Sequence, residues 1–292
     1  MKRIYWLASF PKSGNTWFRI FLKNYLSDDD KPFDINHSLK NDFLASLREL
    51  IDKVTGLESS LMTHEEIERL QPAVYAQWSL EATEDRYVKI HDACNEVLPD
   101  LPIVSVKGTK GAIYIMRNPL DVVLSFADHM GYGIDKAIEV MKDENSFLCG
   151  KKGKPENQVK QRLNGWSGHV ASWADARWFP VEIIKYEEMK EDPLTAFGRA
   201  IRFLELPYDE ARLKKAVFFS EFNELKKQEQ EKDFIERSWA SGAFFRKGEV
   251  GQWKVALTPE QIRRIVNDHA AVMKRFGYLD GIDPELLKEI DR

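Results

Sequence analysis

Cysteine is almost missing from this chain: Cys94 and Cys149 are the only two among 292 residues. Two thiols cannot build the disulfide framework of a small secreted domain, so they read as the reduced thiols of a cytosolic protein. Long hydrophobic runs are missing too. No stretch approaches the ~20 apolar residues that cross a bilayer, and the stretch Ile4 to Phe10 is broken by Pro11-Lys12, too short and wrongly flanked for a secretory signal. No Cys/His cluster has the spacing of metal ligands, so no metal is expected. Charge of one sign is lacking as well, since 43 Lys and Arg face 47 Asp and Glu for a net charge of -4. That balance gives no general attraction to nucleic acid, and any anion site has to be local. With no repeat and no low-complexity linker, the chain is expected to be a single cytoplasmic domain over residues 1–292.

What is present begins with Trp6 to Arg19, WLASFPKSGNTWFR. An apolar run turns through Pro11-Lys12-Ser13-Gly14 into a helix, a layout that makes a phosphate cradle. Amides at a helix start point outward together, the helix dipole favours an anion there, and Lys12 adds a full charge. Ser13 and Thr16 add hydroxyl donors. The stretch is not the GxxxxGK[ST] loop of nucleoside triphosphatases, because it has one glycine and its lysine precedes it. A phosphorylated ligand is expected, and it need not be ATP.

Along the chain, Ile4 to Ser9 reads as a buried parallel strand and Thr16 to Tyr25 as the helix after it. Asp28 to Ala82 is a polar, helical insertion, with one segment at Ile35 to Val54 and a capping box at Thr63-His64-Glu65-Glu66. Arg86 to His91, Gly111 to Met116 and Val181 to Tyr186 read as further strands. Helices are expected over Val122 to Met130 behind Pro119, Gln158 to Ala176, Leu194 to Leu204 and Thr258 to Phe276. Gly150 to Asn157 reads as a polar surface loop. Glu224 to Glu236 is charge-dense without a clear apolar stripe, and Trp239 to Gly251 reads as a flap that orders on binding. Strands alternating with helices predict a three-layer α/β fold in which a central, mostly parallel sheet is flanked by helices. Ligands gather at the carboxyl ends of strands in such sheets.

Four separated pieces, in order, resemble the signature segments of the cytosolic sulfotransferases, enzymes that use 3'-phosphoadenosine 5'-phosphosulfate. They are Trp6 to Arg19, Lys89-Ile90-His91, Arg117 to Ser125 (RNPLDVVLS) and Arg246 to Lys254 (RKGEVGQWK). Trp166-Ser167-Gly168-His169-Val170 and Tyr186 to Pro193 are similar to two further family segments. The resemblance implies a P-loop-like fold and that co-substrate, with no metal. It places Lys12, Ser13, Gly14, Asn15, Thr16 and Trp17 at the 5'-phosphosulfate and adenine edge, and Arg117, Ser125, Arg246, Lys247 and Gly248 at the 3'-phosphate. Arginine suits a bidentate phosphate contact. Tyr186, Ser220 and Phe222 fall where the family contacts adenine. His91 matches the catalytic base, while Lys12 and Lys89 would steady developing charge. Asp92 either orients the His91 ring or faces solvent.

The wording Lys89-Ile90-His91-Asp92 resembles bacterial tailoring sulfotransferases, including those acting on glycopeptide antibiotics. Gln252 departs from the aspartate common in the family. Lys254 and Thr258 fit the family's dimerisation stretch, whereas Pro259 and Arg263 do not. The implied partner is a small-molecule acceptor with a phenolic or alcoholic hydroxyl, attacked in line, with neither nucleic acid nor membrane involved. Phe33, Tyr75, Trp78, Tyr132 and Trp239 are aromatic candidates for its pocket. Two other readings stay open: a nucleotide-dependent P-loop kinase, which wants a lysine after the glycines and acidic magnesium ligands, and a nucleotide-binding protein without turnover.

Overall fold

The structure is a computed structural model that describes residues 2–36, 43–149, 156–238 and 240–287. Its chain divides into two compact units, one of Met1–Phe10, Asp42–Ile115 and Glu144–Ile183, the other of Pro11–Asn41, Met116–Asp143 and Ile184–Arg292. Among the described residues the strands are β1 (Ile4–Ala8), β2 (Phe43–Leu44), β3 (Arg86–Ile90), β4 (Glu96–Leu98), β5 (Leu101–Pro102), β6 (Thr109–Met116), β7 (Phe147–Leu148), β8 (Gln161–Arg162) and β9 (Val181–Lys185).

The first unit is organised on a five-stranded sheet of order β2-β3-β1-β6-β9. β1 lies parallel to β3 on one side and β6 on the other, and β2 lies parallel to β3. With neighbours on both sides, every residue of β1 is buried, which is why it reads as an unbroken apolar run. Ala8 stands opposite Ile90. The next residues, Ser9 and His91, therefore emerge side by side at the carboxyl ends of two adjacent strands. The His64–Leu80 helix starts at a complete capping box between Thr63 and Glu66 and lays Tyr75 edge-on to Trp6. The Gly165–Ala174 helix brings His169 and Trp173 against Tyr114 of β6. β4 pairs with β5 and β7 with β8 in small antiparallel ribbons.

In the second unit the Asn15–Leu26 helix packs its aromatic stripe on the Pro193–Phe203 helix. Phe21 stacks on Phe197 with ring centroids 3.9 Å apart, and Phe18 adds a tilted contact. A separate cluster joins Ile20, Ile35, Leu225, Phe234 and Phe245. The Pro119–Met130 helix is capped by Asn118, has Pro119 in its first turn and ends on left-handed Gly131.

Several expected elements differ. Gln158 to Ala176 is not one helix: β8 comes first, and Asn164 and Gly165, at φ 59° and 64°, delay the helix start. The Ile35 to Val54 segment is not one helix: among the described residues Ile35 and Asn36 are helical, Phe43 and Leu44 are recruited beside β3, and helix returns at Arg48–Thr55; residues 37–42 lie outside the described part. Glu224 to Glu236 does hold a helix, Phe222–Lys232, whose buried side is Leu225, Gln228 and Glu229. The spacing is helical but two of the three side chains are polar, so no apolar stripe shows. Of the Gly150 to Asn157 loop, residues 150–155 are outside the described part, as is Trp239.

The Pro259–Arg275 helix carries a second capping box, Thr258 with Gln261. Thr258→Ala is expected to cost about 1 kcal/mol, read as a lowered thermal midpoint with secondary structure unchanged below it.

Candidate active site

The turn expected to cradle an anion belongs to the second unit. Lys12 holds a left-handed backbone at φ 67° and Gly14 is at φ 108°. A non-glycine residue there costs of order 1 kcal/mol, so the turn is held by its surroundings. Gly14 is the N-cap of the Asn15–Leu26 helix and makes no side-chain cap bond. A Cβ on it would stand 2.7 Å from Tyr186 Cδ2. Ser13 is fully buried, and its Oγ has no hydrogen-bond partner among the described residues. A buried hydroxyl without a partner is costly unless a ligand meets it.

Arg117 closes the cradle from behind. Its Nη2 donates to the Glu249 carbonyl at 3.0 Å and its Nη1 to the Lys12 carbonyl at 3.5 Å, while its guanidinium carbon lies 4.3 Å from the Tyr186 ring centroid. It is 8% exposed, its Nε is buried without a hydrogen-bond partner, and it makes no ion pair among the described residues. A desolvated guanidinium of this kind attracts an anion.

The remaining expected cofactor residues fall in the same unit. Trp17 donates from its indole nitrogen to the Ser220 carbonyl at 2.8 Å and meets Tyr186 and Phe197 edge-on. The Ser220 hydroxyl donates back to Ala216, so Ser220 supports Trp17 through its backbone. Phe222 lies under Gly248, where a Cβ would come within 2.2 Å of the ring. Ser125 is half-buried on the Pro119–Met130 helix, Arg246 and Lys247 are exposed, and Arg246 stands 3.9 Å from Asp128. Asn15 and Thr16 are buried in the first helical turn.

Residues that sequence reasoning passed over support this loop. Asp121 accepts from the amides of Gly251 at 2.7 Å and Trp253 at 3.1 Å, fixing the glycine-rich segment. Gln252 makes no side-chain cap bond, so Asp121 does the anchoring. Glu187 accepts from the Asn118 amide and the Tyr278 hydroxyl, both at 3.0 Å; burial raises its pKa. Both lie inside motifs given above, RNPLDVVLS and Tyr186 to Pro193, and an acid shortly after an expected strand was the available signal.

His91 and Lys89 belong to the first unit. The His91 Nδ1 is 2.8 Å from the Ser9 carbonyl. A carbonyl only accepts, so Nδ1 carries the proton and the basic lone pair is on Nε2. His169 has the opposite tautomer: its Nε2 donates to the His91 carbonyl at 3.0 Å, and its Nδ1 accepts from the Tyr114 hydroxyl at 2.9 Å. Burial lowers the His169 pKa to about 4, keeping it neutral. Asp92 is neither solvent-facing nor the group on the ring. It is fully buried, and its Oδ1 accepts from the Arg162 amide at 3.0 Å while its carbonyl takes the Trp173 indole. Burial pushes its carboxyl up to about 8. Of the candidate pocket aromatics, Tyr75 and Trp78 are buried in the first unit, and Tyr132 packs on Phe126 in the second.

The sulfotransferase domain family model matches residues 2–277. The chain belongs to that family. Among curated relatives of this sulfotransferase chain, rabbit (Oryctolagus cuniculus) amine sulfotransferase is 28% identical over 186 residues, 59% of this chain and 58% of that protein. The chain thus matches little more than half the length of the rabbit enzyme. Cytosolic sulfotransferase 1 of Arabidopsis thaliana is 24% identical over 89% of this chain and 75% of its own, and dog (Canis lupus familiaris) sulfotransferase 1A1 is 24% identical over 93% and 83%. Among solved structures, mouse sulfotransferase SULT7A1 complexed with PAP superposes with a TM-score of 0.60 at 22% identity, covering 94% of this chain and 85% of that one. That likeness is one of fold, the P-loop-like arrangement of a central sheet with helices around it.

The buried Asp92 has a pH consequence. Its carboxyl is raised in the folded chain, so between about pH 4 and 8 the unfolded chain ionises first and stability falls as pH rises. His169 and His269, both lowered to about 4, act in the opposite sense, losing stability as pH drops below about 6.5. The difference between wild type and Asp92→Asn cancels the histidines. Its thermal midpoint is expected to rise relative to wild type as pH goes from 5 to 8; a gap that is flat across that range counts against a raised Asp92.

Proposed function

We propose that the chain transfers a sulfuryl group from 3'-phosphoadenosine 5'-phosphosulfate to a phenolic or alcoholic hydroxyl of a small-molecule acceptor. The observation that carries this reading is the cradle of the second unit, where Ser13 Oγ and Arg117 Nε are buried polar atoms without hydrogen-bond partners among the described residues. The narrow approaches at Gly14 and Gly248 suit a ligand resting on backbone. These features fit a nucleotide with two separate anionic groups, which when bound supplies an activated sulfuryl group on a phosphate leaving oxygen. Lys12, Ser13, Gly14, Asn15, Thr16 and Trp17 would hold its 5' end, and Arg117, Ser125, Arg246, Lys247 and Gly248 its 3'-phosphate. Tyr186, Phe222 and, through Trp17, Ser220 would shape the adenine position.

The chain's own residues then divide the work. His91, with its lone pair on Nε2, takes the acceptor's proton as the new S–O bond forms. Lys12 steadies the charge left on the departing oxygen, and Lys89 steadies the group in transfer. The match over residues 2–277 supports one sulfotransferase domain. Relatives named cytosolic support a cytoplasmic setting, and no described helix is long and apolar enough to cross a membrane.

Calorimetric titration with 3'-phosphoadenosine 5'-phosphate in metal-free buffer is expected to show binding, and ATP none. ATP binding in its place would favour a kinase. With labelled donor and a panel of hydroxyl and amine acceptors, the amines included because the rabbit relative is named for them, Lys12→Met is expected to lower kcat about 100- to 1,000-fold. His91→Ala is expected to lose turnover while keeping nucleotide affinity; full turnover in a folded His91→Ala would remove the base from the mechanism.

A further inference from the structure

Thr16 belongs to the cradle, yet its hydroxyl is turned onto a carboxylate. Oγ1 donates to Glu236 Oε2 at 2.8 Å, and the other oxygen of Glu236 takes both terminal nitrogens of Arg19 at 3.1 Å. Arg19 is 2% exposed and the Glu236 side chain 18%. This is a desolvated, two-pronged ion pair, not a solvated surface contact. The same segment reaches the cradle a second time, with the Lys12 ammonium 3.7 Å from the Phe244 ring centroid. It is pinned from behind: Glu229 accepts from the amides of Phe244 at 2.6 Å and Phe245 at 2.8 Å, and Phe234 packs on both rings. A threonine hydroxyl has one proton to give. While that proton is on Glu236, Thr16 offers an incoming anion only lone pairs.

Resting on the reading of the cradle as the donor site, we propose that Glu236 is a positioning residue that competes with the donor's 5'-phosphate for the Thr16 proton. Arg19 holds the carboxylate in place for that competition. Donor binding then has to draw the hydroxyl away from Glu236, so the intrinsic affinity of the cradle is greater than the affinity measured.

The test is the binding of 3'-phosphoadenosine 5'-phosphate, by calorimetry, to wild type, Glu236→Gln, Glu236→Asp, Thr16→Val and the Thr16→Val/Glu236→Gln pair. Glu236→Gln keeps an acceptor for Arg19, and Glu236→Asp keeps the charge but draws the carboxylate back, so melting curves identify any variant that has not folded and the other one decides. Each Glu236 variant is expected to bind about tenfold more tightly, the scale of one hydrogen bond to a charged group. Thr16→Val is expected to be near neutral in wild type and to cancel the gain in the Glu236→Gln background. Unchanged or weaker binding by the folded Glu236 variants overturns the proposal. So does a gain that survives Thr16→Val, which would mean that Glu236 acts by charge alone. If no protein in the set binds the nucleotide, the donor assignment itself fails, and the same cycle read with inorganic pyrophosphate decides the role of Glu236: tightening that depends on Thr16 supports it, and equal behaviour across the set, absence of binding included, overturns it.

Discussion

A single guanidinium holds the second unit's candidate site together. Arg117 joins the carbonyl of Lys12, in the turn before the first helix, to the carbonyl of Glu249, in the glycine-rich segment, with the Tyr186 ring beneath it. Those three pieces are more than 60 residues apart in sequence at their closest. Carbonyl dipoles and a ring face orient the cation without neutralising it, so the positive charge remains available to an anion. The left-handed turn at Lys12 and the close passage at Gly14 follow from the same constraint, since each brings backbone up to where the charge is.

The charge distribution of the chain is uneven at short range even though the total is close to neutral. Lys12 and Arg117 are met by a ring or by carbonyls, while Glu236 is met by Arg19 and Thr16. The Arg117 guanidinium thus has soft partners and the nearby carboxylate has a hard one. Soft partners are exchanged for an anion at small cost, because a guanidinium held by carbonyls and a ring gives up less than one in an ion pair.

Much of this was legible in the sequence, and the reasons are physical. β1 announces itself because a strand flanked on both sides must be apolar throughout, and the turn after it does because Pro, Lys, Ser and Gly break the apolar run just before an aromatic helical stripe begins. The Phe222–Lys232 helix was not legible, because its inward face carries Gln228 and Glu229, which serve as hydrogen-bond acceptors for Ile35, Phe244 and Phe245. Glu236 was hidden for a related reason: its partners are 217 and 220 positions away, and nothing local marks an acid that will be buried against a distant arginine. The start of the Gly165–Ala174 helix was missed because its periodicity extends upstream into residues that two left-handed conformations divert into β8. Asp92 misled in both directions, since a carboxylate next to a histidine suggests an orienting partner, and the partner is instead a main-chain carbonyl on the neighbouring strand.

That last substitution reaches beyond one ring. The atoms that hold His91 from both sides are the Ser9 carbonyl, on its Nδ1, and the His169 imidazole, on its own carbonyl. Backbone oxygens cannot be exchanged by mutation, and the register of β1 against β3 fixes where the first of them stands. An imidazole moored to the sheet in this way needs no neighbouring carboxylate to orient it. Loops around it can change in sequence while the orientation of the imidazole is inherited unchanged.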